Sequence, residues 1–269
     1  MKYLIINADD FGFSPQINRG ICDAFVNGVV TDTSVLIHSP YAEEALSMAS
    51  EIKLPVGIHI DFVTEYALNH DLNKREALGP EGQLARELFM REYHKKINRL
   101  YTCEELIIFR DEIRSQIHRF VDLMGEKPAH LDYHFGLHYL PDVMAIYLTV
   151  AEEFEIPVRW GKQYAGVNPY RYAPRVFCDQ FHGENATLEG FLKQVEKIWI
   201  GVMEICCHPG YVTPSGLPDA YNAEREAELN VLTDPKLKTE LSKREISLVN
   251  YNWLNERLRV RNWNNIPLE

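Results

Sequence analysis

Five places along the 269-residue chain put ionisable side chains where hydrolytic chemistry could use them. An Asp9-Asp10 pair closes the first apolar run. His59 closes another, with Asp61 two residues on. In His130-Leu131-Asp132-Tyr133-His134 the two histidines and Asp132 share one strand face, and Leu131 takes the other. Arg159 stands near the end of a further run, and His208 sits in Cys207-His208-Pro209-Gly210. Taken singly, each has a structural reading. An Asp pair after a strand is a turn or cap, a lone His is a hydrogen-bonded core residue, Arg159 is a carboxylate's partner, and His208 belongs to a turn. Taken together, such groups destabilise a fold by roughly several kcal/mol each unless something pairs them. A divalent cation held by two imidazoles and a carboxylate would do so. Such a site leaves positions open for water, which becomes a usable nucleophile near neutral pH. A second carboxylate and a further His would then serve as base and acid.

These residues need a scaffold that gathers strand ends. Lys2 to Ala8 reads as a buried strand, followed by a loop from Asp9 to Phe13. Ser14-Pro15 opens a helix, with Ser as N-cap and Pro at the first helical position. Ile17, Ile21, Ala24 and Phe25 continue it, and Gly28 is its expected stop. Val29 to Ile37 is strand-like, 41–51 suits a short helix, and Leu54 to Ile60 is a third strand. Residues 63–100 carry a Gly79-Pro80 turn and many charges, which predicts an inserted loop with helix. Ile113, Ile117, Phe120, Val121 and Met124 mark a helix that ends at Gly125. Then come a strand at Ala129 to Tyr133, a helix near 142–154 and a strand at Pro157 to Trp160. Leu188, Leu192, Val195 and Trp199 form a helical stripe. Ile200 to Cys207 is a strand, 222–232 a helix, and Glu245 to Val249 a last strand. This β-α rhythm predicts an α/β fold with a mostly parallel sheet, open or closed into a barrel. In such folds sites form at the C-terminal ends of the strands, where all five groups lie.

Composition narrows the function classes. Hydrophobic residues make up 46% and charged residues 25%, the mix of a globular protein with a large core. The net charge of −11 is scattered and repels phosphate backbones, so no nucleic-acid partner is expected. No apolar run approaches the ~20 residues of a spanning helix, and Met1–Asp10 lacks a secretory layout, so no membrane partner is expected. Five cysteines, an odd number without a CxxC, read as reduced thiols in a cytoplasmic protein. GxGxxG and GxxxxGK[ST] are both missing, which removes the main support for a nucleotide site.

Asn7-Ala8-Asp9-Asp10-Phe11-Gly12, Gly57-Ile58-His59, His130-Leu131-Asp132-Tyr133-His134 with His138 after it, and Cys207-His208-Pro209-Gly210 resemble the YdjC-like carbohydrate deacetylases, which include the chitooligosaccharide deacetylases. The likeness in order and spacing covers about residues 1–250, with Tyr221-Asn222 and Arg225-Glu226 in the late helix. It implies a deformed (β/α) barrel akin to NodB-type polysaccharide deacetylases, one domain over 1–269 with the insertion at about 63–100. It also implies divalent-metal hydrolysis of the N-acetyl group of an amino sugar or short chitooligosaccharide, with release of acetate. By the same resemblance Asp10, His59 and His134 are the metal ligands, Asp9 is the general base and His208 the acid. Arg159 and Asp132 orient base and acid, and His138 contacts substrate near the mouth. The family implies magnesium and a homodimer, whereas two His and one Asp favour zinc, cobalt or manganese on ligand softness.

The chain departs from the family pattern after Asp132. Tyr133 replaces a serine, and Phe135, Gly136 and Leu137 follow His134, so one histidine is missing at Gly136. Ile60-Asp61 stand where apolar or hydroxylic residues are usual. The ligands survive; the sugar pocket is what these changes touch. Two alternatives compete. One is a metal hydrolase of another amide or a phosphoester on the same barrel, which would call for more basic strand ends than Arg159 alone. The other is a non-catalytic sugar-binding protein, which loss of Asp9 or His208 would have indicated.

Overall fold

The computed structural model describes residues 1–62, 85, 87–89, 101–159, 174, 176–212 and 222–260; the side chains of His138 and of residues 258–260 lie outside that set. Most of the expected insertion at 63–100 also lies outside it, as do Trp160 and Tyr221. Strands β1 (Lys2–Phe11), β2 (Asp32–Val35), β3 (Val56–Ile60), β4 (Leu131–Tyr133), β5 (Val176–Cys178), β6 (Gly201–Cys207) and β7 (Ile246–Leu248) form one sheet. Every pairing in it is parallel. The order is β4-β3-β2-β1-β6-β5, with β7 on β1. From β1 to β4, and from β5 to β6, neighbours in space are neighbours in the chain, the winding of a (β/α) barrel, and a parallel bridge from Leu131 to Val158 begins a further position beyond β4. The barrel is deformed at one seam. β6 takes one edge of β1 from Lys2 to Ala8, so β7, paired at Lys2–Leu4, and β2, paired from Asn7 onward, share the other.

Side-chain alternation divides the sheet into two chemistries. Leu4, Ile6 and Ala8 on β1, Ile58 on β3, Leu131 on β4, and Met203 and Ile205 on β6 are buried outward against the helices. In the alternate positions Asn7, His59, Asp132 and Glu204 point inward, and Ile5 belongs to a separate small apolar cluster. An apolar outer face docks helices by the hydrophobic effect, while the inner face gathers polar groups that must satisfy one another.

The helices are α1 (Pro15–Val26), α2 (Ala42–Ile52), α3 (Cys103–Met124), α4 (Pro141–Phe154), α5 (Leu188–Val195), α6 (Arg225–Leu232), α7 (Pro235–Lys243) and α8 (Tyr251–Val260). Ser14 caps α1 by accepting from the Ile17 N–H, and Thr102 and Glu105 form a capping box on α3. Ile17 and Ile21 from α1 and Ile113, Ile117 and Phe120 from α3 bury their stripes in the main core. α8 closes the barrel floor, where Tyr251 and Leu254 meet Ile5 and Ala129.

Three local expectations are corrected. β1 runs through Asp9 and Asp10 to Phe11 instead of ending at Ala8. The stripe through Trp199 overshoots, because α5 stops at Val195 and a tighter turn carries Ile198 into the core, leaving Trp199 91% exposed. Among the described residues, the strand expected at Pro157–Trp160 is reduced to the Val158 bridge. β5, α7 and α8 are additions to the elements read from sequence. Among the described residues, no helix is long and apolar enough to cross a membrane.

Candidate active site

A bulge in β1 creates the site. Between Ala8 and Phe11 the strand advances three residues while β2 advances two, from Thr33 to Val35. The extra residue is Asp10, whose φ of 70° is left-handed, a conformation that Asp tolerates better than most side chains. Regular alternation would send Asp9 and Asp10 to opposite faces; the bulge turns both carboxylates toward the inner face, and both are buried. Next to them, β3 and β4 pair His59 with Asp132 in register. The His134 N–H continues the ladder to the Ile60 carbonyl, which lifts His134 toward the mouth on the same face.

Asp10 Oδ1, His59 Nε2 and His134 Nδ1 converge. Asp10 Oδ1 lies 3.1 Å from His134 Nδ1 and 3.5 Å from His59 Nε2. The three candidate ligand atoms all fall within 4.8 Å of one another. On the far side of the His59 ring, Nδ1 lies 2.7 Å from Asp132 Oδ1. With the Nδ1 proton on that bond, the neutral ring presents its Nε2 lone pair to the site, the usual device for orienting a ligand histidine. Asp10 Oδ1 itself is buried without a hydrogen bond. An orphan carboxylate oxygen facing two imidazole nitrogens fits a divalent cation. A second possible group, Asp9, His59 and Asp132, does not fit one. There the Arg159 guanidinium already lies 2.7 Å from Asp9 and 3.0 Å from Asp132.

The two arginines divide the carboxylates between them. Arg159 donates from Nη1 and Nη2 to the two oxygens of Asp9, each at 2.7 Å, and from Nε to Glu204 at 2.8 Å. Asn7 Nδ2 adds a bond to Asp9 at 2.8 Å. Arg225 donates to Asp10 Oδ2 at 2.7 Å. Burial opposes the charge on Asp10, but Arg225 and His134 overcome it and hold the carboxyl well below the usual range. Asp132 behaves likewise: burial opposes its charge, and Arg159, His59 and His130 hold the carboxyl low; the Ser34 hydroxyl also donates to it at 2.7 Å. For His59 burial acts to lower the pKa, yet Asp132, Asp9 and Asp10 win and raise it to about 9.

His208 follows β6, and its Nε2 lies 4.0 Å from Asp9 Oδ2. Its side chain is 17% exposed. Burial lowers its pKa below the ordinary value, Arg225 and His59 add to that, and Asp10 and Asp9 oppose it. A lowered pKa makes the protonated ring a stronger acid and reduces the fraction that carries the proton at neutral pH. Its backbone N–H donates to Glu228 at 2.6 Å. Burial raises the Glu228 carboxyl to about 8 against the pull of that bond and of Arg225.

A family described as YdjC-like protein matches residues 3–243. The chain belongs to the YdjC-like family. A carbohydrate deacetylase of Geobacillus stearothermophilus is 34% identical over 254 residues, 93% of this chain and 97% of that protein. A chitooligosaccharide deacetylase of Klebsiella pneumoniae is 33% identical over 258 residues, 93% and 98% of the two chains. A candidate cellobiose-phosphate cleavage protein of Enterococcus faecalis has a crystal structure that superposes with a TM-score of 0.74 at 28% identity, over 94% of this chain and 98% of that one. A family 4 acetyl xylan esterase of Clostridium thermocellum superposes at 0.50 with 13% identity, over 99% of this chain and 100% of its own, a likeness of fold alone. These neighbours agree with the deformed barrel expected of the YdjC-like family.

The sequence-derived residues therefore gather as one cluster: Asp10, His59 and His134 together, Asp9 beside them under Arg159, and His208 across from Asp9. Asp132 turns to His59, a candidate ligand, where the expected pairing had it orient the base or acid. The His138 side chain lies outside the described residues. Asp61 is buried, and Gln116 on α3 clamps its backbone N–H and carbonyl. Sequence reasoning missed Asn7, Ser34, Glu204, Glu228 and Tyr251 and gave Arg225 no role. Glu204 had a signal, since it is a lone charge in the otherwise apolar run Val202-Met203-Glu204-Ile205. Tyr251, whose hydroxyl donates to Glu204 at 2.7 Å, had none.

Proposed function

We propose that this chain is a metal-dependent carbohydrate deacetylase that hydrolyses the N-acetyl group of an amino sugar or short chitooligosaccharide. The observation that carries the reading is the convergence of Asp10, His59 and His134 beside an arginine-bound Asp9 and His208. When bound, a divalent cation supplies Lewis-acid chemistry, drawing electron density from an acetyl oxygen and lowering the pKa of water in the site. Asp9 takes the proton from the water that attacks the acetyl carbonyl. Arg159 holds that carboxylate in place through two parallel hydrogen bonds. His208 gives a proton to the nitrogen as the C–N bond breaks, leaving acetate and a free amine. Asp132 fixes the His59 ring, and Glu204 fixes Arg159.

The phosphoester alternative finds less support, since Arg159 and Arg225 are both turned to carboxylates. Ligand chemistry supports zinc, cobalt or manganese, and the family resemblance supports magnesium. A homodimer rests on the resemblance, and a cytoplasmic location on the reduced-thiol reading of the five cysteines, all of them free.

The test is acetate release from N-acetylated oligosaccharides with and without chelator, alongside elemental analysis of the purified protein. Turnover should stop with chelator and return with added cation. Asp9→Asn should keep the cation and cut turnover by orders of magnitude; an unchanged rate would remove Asp9 as the base.

A further inference from the structure

The segment that follows the candidate ligand His134 carries a costly backbone conformation on a half-exposed side chain. Phe135 sits at φ 58°, in the left-handed region where a bulky side chain is a steric outlier. Its ring is 46% exposed, so it does not repay that conformation with burial. Glycine or asparagine would make the same turn without either penalty. The ring stands edge-on to His134, centroids 4.5 Å apart at 78°, and His134 in turn lies 5.2 Å from the His59 ring. The aromatic surface thus begins one ring away from the candidate ligands.

Tyr139 adds a second ring. It is 64% exposed, and the Cδ2–Cε2 edge of its ring lies so close to Gly136 that a Cβ there would come within 2.3 Å of Cδ2 and 2.4 Å of Cε2. Gly136 has an ordinary φ of −83°, so glycine is needed at this position for the close approach of the Tyr139 ring. The turn that carries both rings is anchored by buried Leu137 and Leu140 and by the Tyr139 N–H bond to the Gly136 carbonyl at 2.9 Å. Two exposed aromatic rings are thereby held on a fixed loop at the mouth.

We infer that Phe135, with Tyr139 across Gly136, forms an aromatic shelf that seats a pyranose ring of the substrate beside the candidate metal ligands. The inference rests on the deacetylase reading and deepens it. A pyranose presents a face of C–H groups that packs on aromatic rings, and aromatic side chains are rigid, low-entropy contact surfaces. An acetamide oxygen at the ligand end leaves its own sugar ring one ring's width further out, over Phe135. The shelf therefore selects N-acetylated sugars over small acetylated molecules that lack a ring to stack.

The test compares wild type with Phe135→Ala, Phe135→Gly, Phe135→Trp and Tyr139→Ala, all with cation content checked by elemental analysis. The probes are an N-acetylglucosamine disaccharide, for binding by calorimetry and for acetate release, and vinyl acetate, an acyl ester without a ring. Phe135→Ala and Tyr139→Ala should weaken disaccharide binding and raise its KM about tenfold, with a much smaller effect on kcat and less than twofold on the ester. Phe135→Trp should restore disaccharide binding. Phe135→Gly should raise the thermal midpoint while weakening sugar binding, a divergence that a residue kept for packing would not give. Disaccharide binding that is absent in wild type, or unchanged in Phe135→Ala and Tyr139→Ala, overturns the shelf, as does an equal loss on sugar and ester. Disaccharide that binds through Phe135 yet releases no acetate overturns the deacetylase reading and leaves the shelf standing.

Discussion

Raising the pH from 7 to 9 should tighten divalent-cation binding about fiftyfold. His59 offers Nε2 to the cation only after losing a proton, and three surrounding carboxylates hold that proton to about pH 9. At pH 7 the proton is thus bound two units below its release, and its displacement costs roughly 2.7 kcal/mol. Each unit of pH removes about a factor of ten from that competition until pH passes 9, and one proton leaves per cation bound. The sign is fixed by the direction of the shift: a histidine raised by carboxylates is charged in the empty site and neutral in the filled one. Calorimetric titration with Mn²⁺ at pH 7, 8 and 9, in buffers of different ionisation heat, reads both the affinity and the proton released. Asp132→Asn sharpens the test. Losing the orienting carboxylate should weaken cation binding about 10–100-fold at pH 9, where proton competition has fallen to about twofold. At pH 7 the same substitution also lowers the His59 pKa, because Asp132 is the largest of the charges that raise it, so the two effects oppose and the deficit shrinks. An affinity that stays flat between pH 7 and 9, or an Asp132→Asn deficit independent of pH, refutes the assignment of His59 Nε2 as a ligand.

Other parts of the site give sharper contrasts of stability and activity. Arg159→Lys keeps one positive charge but loses the parallel bonds to Asp9 and the separate bond to Glu204; it should cost roughly 2–4 kcal/mol and lower turnover while cation content is retained, read by thermal unfolding and elemental analysis. Gly57→Ala puts a Cβ 2.4 Å from the His130 ring, which is fixed on its other face by Tyr251 stacked at 4.0 Å, so the thermal midpoint should fall by several degrees, about 1–3 kcal/mol of overpacking. Asp32, buried under Tyr251, has its carboxyl raised to about 7, chiefly by burial, against roughly 3.9 in the unfolded chain. Its stabilising protonated form is fully present below the unfolded value and is lost as pH rises toward 7, so stability should decline across that window by roughly 4 kcal/mol at most; Asp32→Asn, followed by denaturant unfolding at pH 5 and 8, should flatten the decline.

How much of this was legible in the sequence follows from what one dimension can carry. The strand-end residues could be read because parallel winding sends every C-terminal end to one rim, whatever the details of the strands. His59 and Asp132 could be named but not paired, since their register depends on β3 and β4 lying side by side across an insertion, 73 residues apart in the chain. The short β5 and the α7 stripe, reduced to Leu237 and Leu241, lacked the length or periodicity that a local pattern needs. The end of α5 turned on whether residue 198 or 199 follows Val195 into the core, a choice made by the tightened last turn and not by spacing. Tyr251 and Glu204 meet only because α8 closes the floor, a tertiary fact without a local trace.

The bulge in β1 explains why two adjacent aspartates can hold different partners. In an unbroken strand, one of Asp9 and Asp10 would face outward among Ile6, Ala8 and the helices, where a carboxylate has no cation to pair with. The added residue keeps both inside but offsets them, so that Asp9 meets Arg159 from the Val158 strand position and Asp10 meets Arg225 from α6. Each carboxylate then has one strong countercharge and differs in what remains. Asp9 has both oxygens held by the guanidinium and sits opposite His208, while Asp10 keeps Oδ1 turned to two imidazoles. Chemistry that needs one carboxylate as a ligand and another as a base cannot use two equivalent groups. The left-handed backbone at Asp10 is therefore the local feature that gives a repeated residue two distinct environments, as the proposed division into ligand and base requires, and it needs a residue type that tolerates positive φ at position 10.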